Sequence, residues 1–77
     1  RVFQIDEELR DTLRQLEVFL AAAHTENLAQ AAAELAMSQS AASGALKELE
    51  DRYGVQLFDR VGKRLQLNDF GRAIRPQ

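Results

Sequence analysis

The chain has no cysteine and no tryptophan, and only one proline and one histidine in 77 residues. Without cysteine there is neither a disulfide framework nor a thiolate metal site, and nothing points to an oxidising compartment. No apolar run approaches the ~20 residues needed to span a bilayer. The opening RVFQIDEELR has neither a long apolar core nor a small-residue cleavage site, so it does not read as a secretory signal. It also lacks an initiator methionine, which reads as a trimmed or processed amino terminus. A soluble, cytoplasmic chain with no membrane partner is the expectation.

Catalytic chemistry is poorly served as well. The one histidine, His24, stands near the end of an expected helix, where a surface or capping role is far commoner than general base chemistry. Ser38, Ser40 and Ser43 have no histidine or lysine in obvious position to activate them. Asp6, Glu7 and Glu8 have no histidine or cysteine at ligand spacing, so metal binding is unsupported. Gly44, Gly54, Gly62 and Gly71 are scattered and form no phosphate-binding pattern. The chain is therefore read as a non-enzyme without metal or cofactor.

What is present is enough for one small domain. A chain of this length buries only about 60% of the surface that its unfolded form exposes. Its formal net charge of −2 is opposite to the usual footprint of a nucleic-acid binder. The distribution is more telling than the total. Residues 60–75 hold five basic groups, Arg60, Lys63, Arg64, Arg72 and Arg75, against Asp69 alone. Residues 18–59 hold Lys47 and Arg52 against six acids. Such a run is more often a solvated surface than a binding site, and charge alone does not identify a partner.

The pattern of apolar residues supplies the elements. Residues 1–10 are ambiguous, since Val2, Phe3, Ile5 and Leu9 suit either a helical extension or a packed arm. Asp11 or Thr12 is a possible cap for a first helix over roughly residues 12–24. Leu13, Leu16, Phe19, Leu20 and Ala23 fall on one face of that helix. His24 to Asn27 form a connection. Asn27 then caps a second helix, with Gln30 placed three residues on as in a capping box. That helix buries Leu28, Ala31, Ala32 and Leu35, and its alanines let a neighbouring helix come close. After a break at Met37-Ser38, Ser38 caps a third helix with apolar positions Ala41, Ala42, Ala45, Leu46, Leu49 and Tyr53, ended by Gly54. The period then shortens. Leu57-Phe58 leads into Asp59-Arg60, Gly62 marks a turn, and Leu65-Gln66-Leu67 alternates as a strand, which together predict a hairpin. Asn68 caps a short fourth helix that carries Phe70, Ala73 and Ile74 and stops near Pro76.

Two helices around a tight break, followed by a hairpin, have the layout of a winged helix-turn-helix. In that layout the start of the third helix enters the major groove of duplex DNA. Gln39, Ser40, Ser43 and Lys47 are the residues placed to read bases: glutamine pairs bidentately with an adenine edge, and serine donates or accepts at several bases. Ser40, Ser43 and Lys47 share a face by their spacing of three and four. Capping is the better reading for Ser38, although free N–H groups at a helix start also hold phosphate. Lys63 and Arg64, at the hairpin tip, suit a phosphate or a narrow minor groove. Standing alone, that hairpin would be an ordinary polar turn.

The segments LRQLEVFLAAA, NLAQAAAELAMSQSAAS, LKELEDRYGVQLFDR and LQLNDFG, in this order and spacing, resemble the amino-terminal domain of LysR-type transcriptional regulators from Leu13 to Gly71. The resemblance implies a mainly α winged helix-turn-helix, a three-helix core plus a two-stranded wing, followed by the start of a linker helix. It also implies a bacterial regulator that binds double-stranded DNA sequence-specifically, as a homodimer joined through the linker helix in the full-length protein. A small-molecule effector would bind only in a carboxy-terminal domain missing from this chain. The expected divisions are a 1–10 amino-terminal extension, an 11–68 DNA-binding domain and a 69–77 start of the linker helix. By the same resemblance Gln39, Ser40 and Ser43 face bases, Asn27, Ala29 and Gln30 approach the phosphate backbone, and Arg60, Lys63 and Arg64 belong to the wing. The chain departs from the pattern at Gly44, where many relatives carry arginine; glycine inside a helix also costs ~1 kcal/mol relative to alanine. It departs again at Ala29 and Gln30, where relatives often have threonine and arginine.

One rival reading remains at this stage. A small helical protein-protein interaction module could use the acidic surface around Glu48, Glu50 and Asp51, in keeping with the acidic total charge.

Overall fold

The structure, a computed structural model, describes residues 2–62 and 64–74, with side chains from residue 7 onward. Four helices and one hairpin follow in the order α1 (Val2–Thr25), α2 (Leu28–Glu34), α3 (Gln39–Tyr53), β1 (Phe58–Val61), β2 (Arg64–Leu67) and α4 (Asp69–Ile74). α1, α2 and α3 pack on one another, and the antiparallel hairpin closes the side of that core, with Phe58 opposite Leu67 and Arg60 opposite Leu65. None of the described helices is long and apolar enough to cross a membrane.

The local signals set most boundaries. Asn27 Oδ1 accepts from the N–H of Gln30 at 2.9 Å, and Ser38 Oγ accepts from the N–H of Ala41 at 3.1 Å. Each satisfies one of the N–H groups that a helix start leaves open. Gly54 closes α3 with φ 72°, and its N–H reaches the carbonyls of Glu50 and Asp51. The turn between α2 and α3 uses Ala36 at φ 55°, a left-handed conformation that alanine adopts reluctantly. The Met37 N–H to Ala32 carbonyl bond of 2.9 Å fixes that conformation.

The first helix corrects the expectation in two ways. It begins at Val2, so Asp11 and Thr12 lie inside it and cap nothing; Thr12 Oγ1 instead accepts from Arg52 Nη1 at 3.1 Å. The buried stripe is also rotated. Gln15, Val18, Phe19 and Ala22 face α2 and α3, while Leu13 and Leu20 are 51% and 43% exposed. Both stripes repeat with the helical period and share Phe19. Ala22 is fully buried in the core that α1 shares with Ala31 and Ala32 of α2, and small side chains there let helices pack closely. Leu9 is exposed alongside Leu13.

Smaller corrections concern four positions expected to be apolar core. Ala41 and Tyr53 of α3 and Phe70 and Ala73 of α4 are all exposed, Phe70 at 57%. In α4 the buried residue is Gly71. A Cβ there would stand 2.3 Å from the Leu57 carbonyl oxygen and 2.5 Å from Leu67 Cδ2, so only glycine lets α4 lie on the base of the hairpin. Asn68 holds the junction, accepting from the Gly71 N–H at 2.9 Å and donating from Nδ2 to the Gln56 carbonyl at 2.8 Å.

Candidate nucleic-acid interface

Two anchors fix the hairpin beside α3. On the β1 side, Glu50 Oε2 accepts from the Leu57 N–H at 2.8 Å, and the Phe58 ring meets Phe19 edge-on at 5.6 Å between centroids. On the β2 side, the Leu65 N–H donates to the Glu26 carbonyl at 2.9 Å. Glu26 holds φ 55° just past the end of α1, which turns its carbonyl toward the strand. Its side chain pairs with the guanidinium of Arg64. In the sequence Glu26 stands out only as part of a connection, because its 38-residue separation from Arg64 leaves no local trace.

The anchors bring residues from three elements to one side of the molecule. Gln39, Ser40 and Lys47 are exposed, and Ser43 is half-buried beside them. Leu28, Gln39, Ser40, Ser43, Gly44 and Arg60 line one shallow depression. Asn27, Ala29, Gln39, Arg60, Gly62 and Arg64 meet in a second. Ser43, Lys47 and Arg60 meet again along a third, between α3 and β1. Arg60 is common to all three, so it stands where α3 and the wing converge.

The remaining sequence-derived candidates divide by how they are engaged. Ser38 and Asn27 spend a side-chain oxygen on capping, and Ala29 and Gln30 are exposed on the first turn of α2. Arg64 is exposed but shares its charge with Glu26, and Arg72 pairs with Asp69 and donates to the Leu67 carbonyl at 2.7 Å. Among the described residues Arg60 forms no ion pair. Lys63, expected at the hairpin tip, lies outside the described residues, as do Arg75 and Pro76. Glu50, assigned above to an acidic docking surface, is half-buried and committed to Leu57.

Residues 13–72 match the model of the bacterial regulatory helix-turn-helix protein, lysR family. The chain belongs to the LysR family. Among curated relatives, it is 56% identical over 66 residues to the HTH-type transcriptional regulator YeiE of Escherichia coli strain K12, covering 86% of this chain and 22% of that one. The RuBisCO operon transcriptional regulator of Allochromatium vinosum is 44% identical over 63 residues, covering 82% and 21%. The chain thus spans about a fifth of the length of these relatives. Solved LysR-family structures share the fold. The DNA-binding domain of CbnR in complex with DNA superposes with a TM-score of 0.74 at 37% identity, covering 78% of this chain and 69% of that one. Vibrio fischeri DarR in complex with DNA gives 0.76 at 37% identity, covering 80% and 21%. The fold is therefore the winged helix-turn-helix of LysR regulators.

Proposed function

We propose that this chain is the DNA-binding module of a bacterial LysR-type transcription regulator, and that it recognises double-stranded DNA sequence-specifically. The convergence of α3's exposed polar face and the wing on one side of the molecule carries this reading. Relatives of the same fold bear DNA in their solved complexes, which supports the same partner here. Gln39, Ser40, Ser43 and Lys47 read base edges in the major groove. Asn27, Ala29, Gln30 and Ser38, at the starts of α2 and α3, and Arg60, Lys63 and Arg64 of the wing hold the phosphate backbone. Phosphate contacts place the protein and base contacts choose the sequence.

The divisions proposed are an amino-terminal extension over residues 1–10, the DNA-binding domain over 11–68 and the start of a linker helix over 69–77. The module acts in the cytoplasm, without cofactor and without catalysis, as one half of a homodimer joined through the linker helix. A small-molecule effector binds in a carboxy-terminal domain of the whole regulator. The magnitudes favour two copies. A subunit that neutralises ~2–3 phosphates has a salt slope of about −2 to −3 and a non-specific affinity of only ~10⁻⁴–10⁻⁶ M. Two linked modules on half-sites about one helical turn apart add the several kcal/mol that specific sites require.

Selection from randomised duplexes followed by anisotropy titration tests the assignment. Gln39→Ala weakens the selected site by ~1–3 kcal/mol and leaves random duplex nearly unaffected. Lys63→Ala weakens both about equally and flattens the salt dependence by roughly one. An unchanged ratio of selected to random affinity in Gln39→Ala removes the readout role. Absence of duplex binding by the wild type even at low salt returns the chain to a protein-interaction module.

A further inference from the structure

Leucines stand in an exposed row along α1. Leu9, Leu13 and Leu20 are 55%, 51% and 43% exposed, and Leu16 between them is half-buried. Apolar residues scattered singly over a surface are ordinary, but a contiguous row marks a surface that something covers. The spacing of four, three and four is that of a coiled-coil seam. At 3.6 residues per turn these side chains fall within an arc of about 60°, and that arc lies roughly 140° round from the buried face. The buried face is formed by Gln15, Val18, Phe19 and Ala22. The row therefore points away from the molecule's own core.

Its two flanks differ. On one, Arg52 of α3 reaches across to donate to Thr12 at 3.1 Å, so the fold itself closes that side. On the other stand Arg10 and Glu17, both exposed and without an ion pair among the described residues. The row is also its own complement. Turned end for end about a two-fold axis, Leu9 meets Leu20 of a second copy and Leu13 meets Leu16, with the reverse pairs given by symmetry. The same rotation brings the two open flanks together. Arg10 then comes within ~3 Å along the axis of Glu17 of the second copy, in reach of both long side chains. A partner of unrelated sequence would have to match both the leucine register and the charge order, whereas a second α1 matches both as it stands. Leu9 and Arg10 precede residues 13–72, so the seam is built partly from residues that the LysR family model does not cover.

We propose that α1 is a self-association surface, pairing antiparallel with α1 of a second copy through the leucine row and the crossed Arg10–Glu17 pairs. This joint is separate from the linker helix and needs no DNA. The paired segment is only ~17 Å long and one helix wide. Such a strip falls well short of the ~800 Å² per partner of a standard interface. Isolated modules therefore pair weakly. Pairing takes hold once two modules are tethered, because tethering raises their effective concentration to the millimolar range.

Sedimentation equilibrium of the chain, without DNA and up to millimolar concentration, tests the pairing. Wild type is expected to pass from monomer toward dimer in the upper part of that range. Leu13→Glu places a charge in the seam and is expected to raise the dimer dissociation constant by ~tenfold or more, with thermal melting like that of wild type. Arg10→Glu and Glu17→Arg are each expected to weaken pairing about three- to tenfold, since each sets like charges together at two symmetric positions. The double variant Arg10→Glu/Glu17→Arg is expected to recover to within about twofold of wild type. Arg10 and Glu17 lie two turns apart and do not meet within one helix, so that recovery reports contact between copies. Phe70→Glu, on the exposed side of α4, is expected to leave the dimer unchanged. A wild type that stays monomeric at ~1 mM overturns the inference. So does a dimer that survives Leu13→Glu but is lost in Phe70→Glu, which places the joint at the linker helix instead. Neither result bears on the DNA-binding assignment, which titration on duplex reads separately.

Discussion

The exposed face of α3 and the wing differ in how much of their chemistry the fold has already used. Along α3, Gln39, Ser40 and Ser43 make no side-chain hydrogen bond among the described residues, and only Ser38 is taken up by capping. On the wing side, Arg64 is paired with Glu26 and Arg72 with Asp69, which leaves Arg60 as the described cation without an acid. The contrast separates two kinds of recognition. A group that reads bases must be free to form directional bonds, and the three residues proposed for that role are unpartnered on a helix among the described residues. Cations act at longer range, and a paired cation pulls less strongly on any phosphate. In the proposed complex, partial neutralisation moderates non-specific attraction without touching the exposed polar face of α3, which accords with a chain whose net charge is −2.

Removing the anchor of the wing breaks this division most severely. Phe58→Ala deletes the ring that meets Phe19 and is expected to destabilise the domain by ~3–5 kcal/mol. Denaturant unfolding checks the magnitude. A loss under ~1 kcal/mol would mean that the hairpin is held by its hydrogen bonds rather than by the aromatic pair. Arg60→Ala is smaller and leaves the fold intact. The slope of log affinity against log salt is expected to become shallower by about 0.9, since one phosphate contact is lost. An unchanged slope would remove Arg60 from the interface. Glu26→Gln is smallest for stability, below ~1 kcal/mol, because the pair it breaks is largely exposed. Here the slope is expected to steepen by about 0.9 as Arg64 becomes free, with tighter binding to random and selected duplex alike. If affinity falls instead, Glu26 positions Arg64 rather than neutralising it, and the contrast drawn above fails.

Much of the fold was legible because its signals act over three or four residues. Asn27, Ser38 and Asn68 each appear as caps, Gly54 as a helix end and Gly62 as part of the hairpin turn, all as expected from their neighbours alone. The exposed polar residues Gln39, Ser40 and Lys47 of α3 were legible from local spacing too, whereas the exposure of Ala41 and Tyr53 was not. The buried face of α1 was not. Leu13 and Leu20 satisfy the helical period as well as Val18 and Ala22 do, and the choice depends on what packs against them. The role of Glu26 was equally hidden, because its partners Arg64 and Leu65 lie far along the chain. Lys63 stays a sequence-derived candidate, outside the described residues.

The order of amino acids alone determined the element sequence, the family and the polar groups at the head of α3. Hydrogen bonds and apolar spacing within a few residues suffice for these. Only the tertiary structure decided which stripe of α1 is buried, why Gly71 must lack a side chain while Gly44 need not, and which described arginine of the wing strands keeps an unshared charge. Those outcomes depend on close contacts between segments distant in sequence, and such contacts exist only once the helices have packed and the wing has closed on them.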